Sequence, residues 1–453
     1  MATSPSKRTL PRFVAPLLVI VAGVVVIGLI ATLTTKPPRS QGLGDDFLWG
    51  VASSGFQSEG NPPDSNWTRA ANSPLVSDPV GTSVDFRHRY KDDIALAKDL
   101  GVKVYRIGIE WSRLEPRPGQ LDEAEWAYYD DVVKTIKDAG IRPMITIDHW
   151  VYPGWVADQG GWTNPKTVED WTVNASRVIN RFAWADPLWV TINEPVAVVV
   201  EELLFHHLPA GQVAGIADRL VTAHNNAYER IHAAQPGAMV TSNVAYLPGP
   251  GLEDQVDVLT VDKMKLDYIG VDYYYASGPP AGATLDDFLS NPSMFTAASK
   301  PWEQQLQPEG VYYALRHYAR RFPGKPLYIV ENGMPTEDHK PRADAVTRAQ
   351  QIHDTVYWVG RAKADGMPVI GYNYWSITDN YEWGSYHPRF GLYTVDVATD
   401  PTLARVPTDG VAAYRKIIAE HGVPASSEPT LKPVPCSQVD APSSCEDPVR
   451  LRR

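Results

Sequence analysis

Two short strings constrain the fold of this chain more than any other feature. Residues 191–195 read TINEP and residues 330–333 read VENG, and each string places one glutamate, Glu194 or Glu331, at the end of a β-branched run. The two glutamates are 137 residues apart, which leaves room for about three βα units of ~30–45 residues in a (β/α)8 barrel. In that fold, active sites lie at the C-terminal ends of the strands. Two facing carboxyl groups suit acetal cleavage, because one can donate a proton while the other stays ionised.

Strand-like and helix-like stretches alternate along most of the chain. Runs rich in β-branched and aromatic residues predict eight strands, at Phe47–Ala52, Val104–Ile109, Arg142–Ile147, Leu188–Ile192, Met239–Val244, Tyr268–Asp272, Leu327–Val330 and Val369–Trp375. Periodic apolar stretches predict helices at Tyr90–Leu100, Glu123–Ala139, Lys166–Phe182, Ile216–Ala234, Gly310–Phe322, Arg342–Lys363 and Gly410–His421. Such alternation is typical of a closed parallel sheet. We therefore predict an α/β fold with a single (β/α)8 TIM barrel at residues 45–423.

The first 44 residues differ from the rest of the chain. Phe13–Leu33 is a run of 21 residues without a charge, which as a helix would span a bilayer core of roughly 30 Å. Basic residues precede this run. This pattern predicts a short cytoplasmic N-terminus at 1–12, a transmembrane signal anchor at 13–34 and a linker at 35–44. The alternative is a signal peptide that is cleaved to release a secreted protein. In both cases we expect the barrel to lie outside the cytoplasm.

Residues 424–453 form a tail rich in Pro and Ser, with little apolar periodicity, and are predicted to be irregular. Both cysteines of the chain, Cys436 and Cys445, lie in this tail. Such a pair can close a small disulfide in an oxidising compartment, and two free thiols are the alternative.

Composition and motifs exclude several classes of partner. The 42 basic and 53 acidic residues give a net charge of −11, which disfavours nucleic acid as the main partner. The sequence has no CxxC, HExxH, EF-hand or Gly-rich phosphate pattern, and we expect neither a metal nor a cofactor.

Seven of the predicted strand ends carry hydrogen-bonding or aromatic side chains. In chain order they are Gln57 and Glu59; Arg106, Glu110 and Trp111; His149 and Trp150; Asn193 and Glu194; Asp272 and Tyr274; Glu331; and Trp375, Glu382 and Trp383. Because the strand ends of a barrel meet on one face, we expect these side chains to share a pocket. Donors, acceptors and flat rings together suit a sugar. Taken singly, each has a structural alternative, such as a core ion pair for Arg106.

The chain resembles glycoside hydrolase family 1, the β-glucosidase family of retaining (β/α)8 enzymes. The resemblance covers about residues 45–423 and rests on FxWG (47–50), QxEG (57–60), YRIGIEWSR (105–113), HW (149–150), WxTxNEP (189–195), ENG (331–333), YWSxxDNxEW (374–383) and RFGL (389–392). It implies a glycosidase that retains the anomeric configuration and needs no metal.

The resemblance also implies a role for each matched residue. Glu194 would be the acid/base and Glu331 the nucleophile that forms a covalent glycosyl ester, while Asn193 would bind the sugar 2-hydroxyl. Arg106 and Tyr274 would hold Glu331 ionised and oriented. The other substrate-binding positions would be Gln57, His149, Trp150, Glu382 and Trp383 for the remaining hydroxyls, and Trp375 as the stacking surface.

Two positions depart from the family pattern. Asp272 stands where the family usually has Asn, and Val330 stands where it usually has Thr. An extra carboxylate beside the site could raise the pKa of a neighbouring group or change what binds. Glu382 and Trp383 replace the Ser of the phosphosugar branch, so a 6-phosphorylated substrate is not expected.

Three hypotheses remain open from the sequence. The first is a retaining β-glycosidase that hydrolyses terminal β-D-glucosides, galactosides or fucosides, anchored to a membrane by its N-terminal helix. The second is a membrane-proximal transglycosylase with the same mechanism, which the predicted anchor motivates. The third is a non-catalytic barrel that binds carbohydrate.

Overall fold

Nine parallel strands form the central sheet of the protein, seen in a computed structural model. They are β1 (Leu48–Ala52), β2 (Val104–Gly108), β3 (Arg142–Asp148), β4 (Leu188–Ile192), β5 (Met239–Thr241), β6 (Val244–Ala245), β7 (Ile269–Asp272), β8 (Leu327–Glu331) and β10 (Val369–Trp375). Every residue of β2, β4 and β8 is buried. Burial on both faces is typical of a parallel sheet covered by helices, and it explains the continuous apolar runs in the sequence.

The strand order closes the sheet on itself. Neighbouring strands follow the order β5-β4-β3-β2-β1-β10-β8-β7-β6. Its two ends, β5 and β6, are separated in the chain by only Ser242 and Asn243, so both edges of the sheet meet within the predicted fifth strand. That strand is therefore interrupted rather than continuous over Met239–Val244. The result is a (β/α)8 TIM-barrel-like fold.

The described residues are 42–71, 76–205, 210–274, 276, 300–338, 340–424 and 426–451. The predicted N-terminal segment 1–12, the predicted anchor 13–34 and most of the linker 35–44 lie outside them. Within the described ranges, no helix has both the length and the apolar character required to cross a bilayer.

Fourteen α-helices are present in the described ranges. They are α1 (Gly55–Glu59), α2 (Asn66–Ala71), α3 (Phe86–Leu100), α4 (Trp111–Leu114), α5 (Glu123–Asp138), α6 (Gly154–Asp158), α7 (Lys166–Phe182), α8 (Pro195–Phe205), α9 (Val213–Ala234), α10 (Leu252–Leu259), α11 (Gly310–Arg321), α12 (Arg348–Ala364), α13 (Asp409–Ala419) and α14 (Ser443–Glu446). Helix α12 begins six residues later than Arg342, because Thr347 and Gln350 form a capping box at its N-terminus.

Side chains pack on both faces of the sheet. The larger apolar core contains alternate strand residues such as Tyr105, Ile145 and Ile329, together with the apolar faces of the helices. A smaller cluster takes the intervening residues, including Met144, Tyr328 and Val330. This alternation places the smaller cluster inside the barrel. The departure at Val330 thus lies in the interior packing of the barrel.

Two short antiparallel pairs lie outside the barrel. Strand β9 (Thr336–Glu337) pairs with β11 (Pro388–Arg389), and β12 (Tyr393–Thr394) pairs with β13 (Val406–Pro407). The first pair links the loops that follow β8 and β10, both of which contribute side chains to the candidate site.

The C-terminal tail lies on the barrel surface. In the part of the tail that the structure describes, α14 is the only helix, and Cys436 and Cys445 are joined by a disulfide. Asp440 accepts a hydrogen bond of 2.9 Å from Nε of Arg316 on α11, and Glu309 accepts one of 2.9 Å from the backbone of Val434. Polar contacts with the barrel therefore fix the position of a segment that lacks regular structure.

Candidate active site

Glu194 and Glu331 converge on one pocket at the C-terminal ends of the strands. Glu331 is the last residue of β8, and Glu194 lies between β4 and α8. Both are buried, and one carboxyl oxygen of each lies within 4.8 Å of the other and of an oxygen of Asp272. Asp272 ends β7 and pairs in register with Glu331. The spacing of the two glutamates fits a retaining glycosidase (~5–5.5 Å) and is too short for an inverting one (~6.5–9.5 Å).

The backbone at Glu194 is strained. Its φ of 41° lies in the left-handed region, which a residue with a Cβ rarely adopts. The conformation is held by a hydrogen bond of 3.1 Å from the Glu194 N–H to the carbonyl of Asn243, and by the start of α8 at Pro195. Strain of this kind is stored where a side chain must be aimed at a fixed point.

Two donors hold Glu331. Arg106 Nη1 donates to Oε1 of Glu331, and the Tyr274 hydroxyl donates to Oε2 at 2.6 Å. Arg106 is fully buried, and it also donates from Nε to the hydroxyl of Thr146 at 2.8 Å and from Nη2 to the side chain of Asn193. This arrangement places a guanidinium and a hydroxyl donor against the carboxyl group of Glu331 and fixes its orientation.

Glu194 has the opposite environment. Burial, and then the negative charge of Glu331, raise the pKa of Glu194 to about 8, and the more weakly acting Arg106 does not reverse this. Burial and the charges of Glu331 and Glu194 likewise raise the pKa of Asp272 well above its usual range. The site therefore contains one carboxyl group paired with a cation and two carboxyl groups whose pKa values are raised.

Polar side chains from three loops lie around the carboxyl groups. Glu382 accepts hydrogen bonds from Trp375 Nε1 at 2.7 Å and from Gln57 Nε2 at 3.2 Å. The ring of His149 stacks on Trp375 with centroids 5.8 Å apart. Burial lowers the pKa of His149 well below its usual range, so its ring is neutral. A neutral ring can both donate and accept a hydrogen bond, as a sugar hydroxyl requires.

An aromatic wall borders the pocket. Trp150 donates from Nε1 to the carbonyl of Asn193 at 3.0 Å, and its ring lies 4.8 Å from the ring of Trp383 and 6.4 Å from that of Trp67. Trp383 is 43% exposed, which places it at the rim. The cavity beside this wall is also lined by Phe56, Val151 and Tyr381.

The residues predicted to be catalytic, substrate-binding or supporting are at or beside this pocket, whereas Trp111 instead donates from Nε1 to Glu115 at 3.2 Å. Glu59 and Glu110, which also follow strands, have structural contacts instead: Glu59 forms a buried ion pair of 2.6 Å with Arg113, and Glu110 accepts a hydrogen bond from the backbone of Phe56.

Two residues of the site were missed by sequence reasoning. Asn243 donates from Nδ2 to both Asn193 and Asp272. Its signal, a polar residue near the end of the predicted fifth strand, was present in the sequence. Trp67 lies on α2 rather than at a strand end, so the pattern gave no signal for it.

Glycoside hydrolysis requires two close carboxyl groups in different electrostatic environments, and this barrel places such a pair among hydrogen-bonding and aromatic side chains. The fold and the site therefore define the class of glycoside hydrolases. The family model of glycosyl hydrolase family 1 matches residues 39–248 and 250–423. The chain belongs to glycosyl hydrolase family 1 and has β-glycosidase function.

Relatives and solved structures agree with this assignment. The chain is 28% identical to β-glucosidase A of Thermotoga maritima over 84% of this chain and 98% of that protein. It is also 28% identical to galactolipid galactosyltransferase SFR2 of Arabidopsis thaliana, over 79% of this chain and 61% of that protein. Among solved structures, the β-glycosidase from Pyrococcus horikoshii superposes with a TM-score of 0.71 at 26% identity, covering 85% of this chain and 97% of that one.

Proposed function

We propose that the protein hydrolyses terminal β-D-glucosides, galactosides or fucosides and retains the anomeric configuration. The observation that carries this proposal is the pair Glu194 and Glu331, whose carboxyl oxygens lie within 4.8 Å of each other in opposite environments. One group is ion-paired with Arg106 and suits a nucleophile, and the other has a raised pKa and suits a general acid.

In the first step, a carboxylate oxygen of Glu331 attacks the anomeric carbon as the bond to the leaving oxygen breaks. The proton of Glu194 moves to that oxygen, so the aglycone leaves as a neutral alcohol. The product is a glycosyl ester on Glu331, and Glu194 becomes a carboxylate. Arg106 and Tyr274 hold Glu331 in place for the attack.

In the second step, water attacks the same carbon from the face that the aglycone left. Glu194 takes a proton from this water, and the ester bond to Glu331 breaks. Both glutamates return to their starting protonation. Two inversions at one carbon give net retention. Asn193 lies between Arg106 and Glu194, where its side chain can contact the 2-hydroxyl.

Labelling of the nucleophile tests the proposal. A panel of aryl β-glycosides identifies the preferred sugar, and the matching 2-fluoro glycoside traps the covalent intermediate. We expect its mass on the peptide that contains Glu331. A label on any other residue would refute the assignment of the nucleophile.

A second candidate is transfer of the sugar to an acceptor at a membrane surface. The similarity to a galactolipid galactosyltransferase and the apolar run Phe13–Leu33 favour it. The chemistry is unchanged, except that an acceptor hydroxyl replaces water in the second step. Incubating the full chain with galactolipid vesicles separates the two: glycosylated lipid supports transfer, and free sugar as the only product excludes it.

We further propose that residues 13–34 anchor the protein in a membrane with the barrel on the extracytoplasmic side. The support is the run of 21 uncharged residues, preceded by Lys7, Arg8 and Arg12. Carbonate extraction of membranes and the intact mass of the expressed chain test this. An anchored chain stays in the pellet at full length, whereas a secreted chain is soluble and lacks its first residues.

A further inference from the structure

Asp272 is a third carboxyl group in the pocket, and the two-step mechanism leaves it without a role. It is buried, and Oδ2 accepts a hydrogen bond from Nδ2 of Asn243. Its other oxygen, Oδ1, accepts no hydrogen bond from a side chain or backbone donor among the described residues. One oxygen of Asp272 lies within 4.8 Å of a carboxyl oxygen of Glu194. Two carboxyl groups can share a hydrogen bond only if one of them carries a proton.

The charges around this pair leave no cation for it. Arg106 is the cation that acts most strongly on both Glu194 and Asp272, and its guanidinium is already paired with Glu331. The other titratable groups that act on the pair are the acids Glu331 and Glu382 and the hydroxyl of Tyr274. Because ionisation of one buried acid makes ionisation of an adjacent one less favourable, the two protons leave in separate steps.

We propose that Asp272 shares its proton with Glu194 and acts as a proton reserve for the leaving-group step. The proposal rests on the acid/base role proposed for Glu194. When the pair has lost one proton to solvent, the remaining proton can still lie on Glu194 and be passed to the leaving oxygen. Asp272 is a positioning residue in this account, because it acts on the substrate only through Glu194.

The protons balance through the cycle. When Glu194 gives its proton to the leaving oxygen, its new carboxylate accepts the hydrogen bond of the Asp272 hydroxyl, which stabilises the negative charge. In the second step, the proton that Glu194 takes from water restores the pair to its starting state. No oxidant, metal or further reactant is involved.

Asp272→Asn tests the proposal, because Asn has the same shape but holds no exchangeable acidic proton. For alkyl or methoxyphenyl glycosides, whose leaving group requires protonation, we expect the alkaline limb of kcat/KM to move to lower pH by about one unit. For a dinitrophenyl glycoside, whose leaving group needs no proton, we expect no shift of that limb. The acid limb should stay in place for both substrates.

Glu110→Gln is the matched control. Burial, with a smaller contribution from the charge of Glu59, raises the pKa of Glu110 to about 8, and Glu110 accepts a hydrogen bond of 3.1 Å from the backbone of Phe56. We expect the alkaline limb of kcat/KM in Glu110→Gln to match that of the unmodified protein. An unmoved limb in Asp272→Asn, or an equal shift in Glu110→Gln, would overturn the proposal.

Infrared spectroscopy provides a readout that does not depend on turnover. At neutral pH the carbonyl stretch of a protonated buried carboxyl should be present in the unmodified protein and reduced in Asp272→Asn, with circular dichroism verifying the fold. An unchanged band would also refute the proposal. These experiments can fail without affecting the proposed function. Labelling of Glu331 by the 2-fluoro glycoside, together with an alkaline limb that depends on Glu194, supports retaining hydrolysis whether or not Asp272 has any effect.

Discussion

Two clusters of acidic side chains on this barrel differ in how their charges are paired. The pocket cluster, Glu194, Asp272 and Glu331, has three carboxyl groups and one ion-paired arginine. The tail cluster is formed by Asp254, Asp257, His317 and Asp440 with their arginine partners Arg316 and Arg321. In it, Asp440 lies 2.9 Å from Arg316, Asp257 lies 3.0 Å from His317, and Asp254 lies 2.5 Å from Arg321.

The difference shows how pairing separates structural acids from reactive ones. In the tail cluster each carboxyl group has a basic partner, and the resulting ion pairs connect the C-terminal tail to α11 and α11 to α10. Burial raises pKa values in both clusters, but in the pocket cluster there are more acids than cations, so repulsion between carboxylates adds to the shifts of Glu194 and Asp272. Perturbed acids of this kind are concentrated at active sites. Substitutions in the pocket cluster should therefore alter rates, and substitutions in the tail cluster should alter stability.

The largest expected effect is that of Glu331→Gly. Removing the nucleophile should lower kcat by on the order of 10⁴–10⁶-fold, as for other enzymes that form a covalent intermediate. Azide should enter the space left by the side chain, restore turnover and give an α-glycosyl azide, which can be identified by NMR. Loss of activity without rescue by azide would argue that the residue has a structural role.

Glu194→Gln should have the next largest effect. We expect a loss of about 10²–10⁴-fold on substrates with poor leaving groups, because Gln cannot donate a proton to the leaving oxygen. The first step with a dinitrophenyl glycoside should be nearly unaffected.

In the unmodified protein, kcat/KM should fall as the pH rises through about 8, where Glu194 loses its proton. This alkaline limb should be absent in the Glu194→Gln variant. An alkaline limb that persisted there would assign the limb to another group.

Asp440→Asn should have the smallest effect on catalysis and a clear effect on stability. The side chains of Arg316 and Asp440 are 7% and 8% exposed, so loss of one partner leaves a buried charge and should cost about 3 kcal/mol in the free energy of unfolding. Urea unfolding measures this, and kcat of the folded protein should not change.

Asp447→Asn is the control for this prediction. Asp447 also contacts Arg316, at 3.4 Å, but its side chain is 79% exposed, and such pairs contribute little to stability. If the two variants had the same free energy of unfolding, the structural role assigned to the buried ion pair of the tail cluster would be wrong.

The barrel could be predicted from the sequence because its signals are local. Seven of the eight predicted strands lie within one residue of those observed, since burial on both faces leaves continuous β-branched runs. Most of the site followed from the same strand ends. Helix α8 was missed because its sequence, PVAVVVEELLF, is apolar on all sides and lacks the periodicity of a surface helix.

Other features depend on contacts between distant parts of the chain. Arg316 and Asp440 are 124 residues apart, so no local pattern predicts that the tail lies against α11. Trp67 reaches the aromatic wall only because α2 lies beside the loop after β3. The family resemblance drew attention to the substitution at Asp272, whereas its closeness to Glu194 became evident only in the structure.

The interruption of the fifth strand has a consequence for protein engineering. The barrel closes at Ser242 and Asn243. There the side chain of Asn243 donates to Asn193, which follows β4, and to Asp272, which ends β7, so a side-chain amide adds to the backbone hydrogen bonds between strands. Residues that shape the sugar-binding pocket thus also hold the two edges of the sheet together. Substitutions of Asn193, Asn243 or Asp272 that alter sugar preference should therefore also weaken the closure of the barrel. Trp383, exposed at the rim, is the safer starting point for a library of variants.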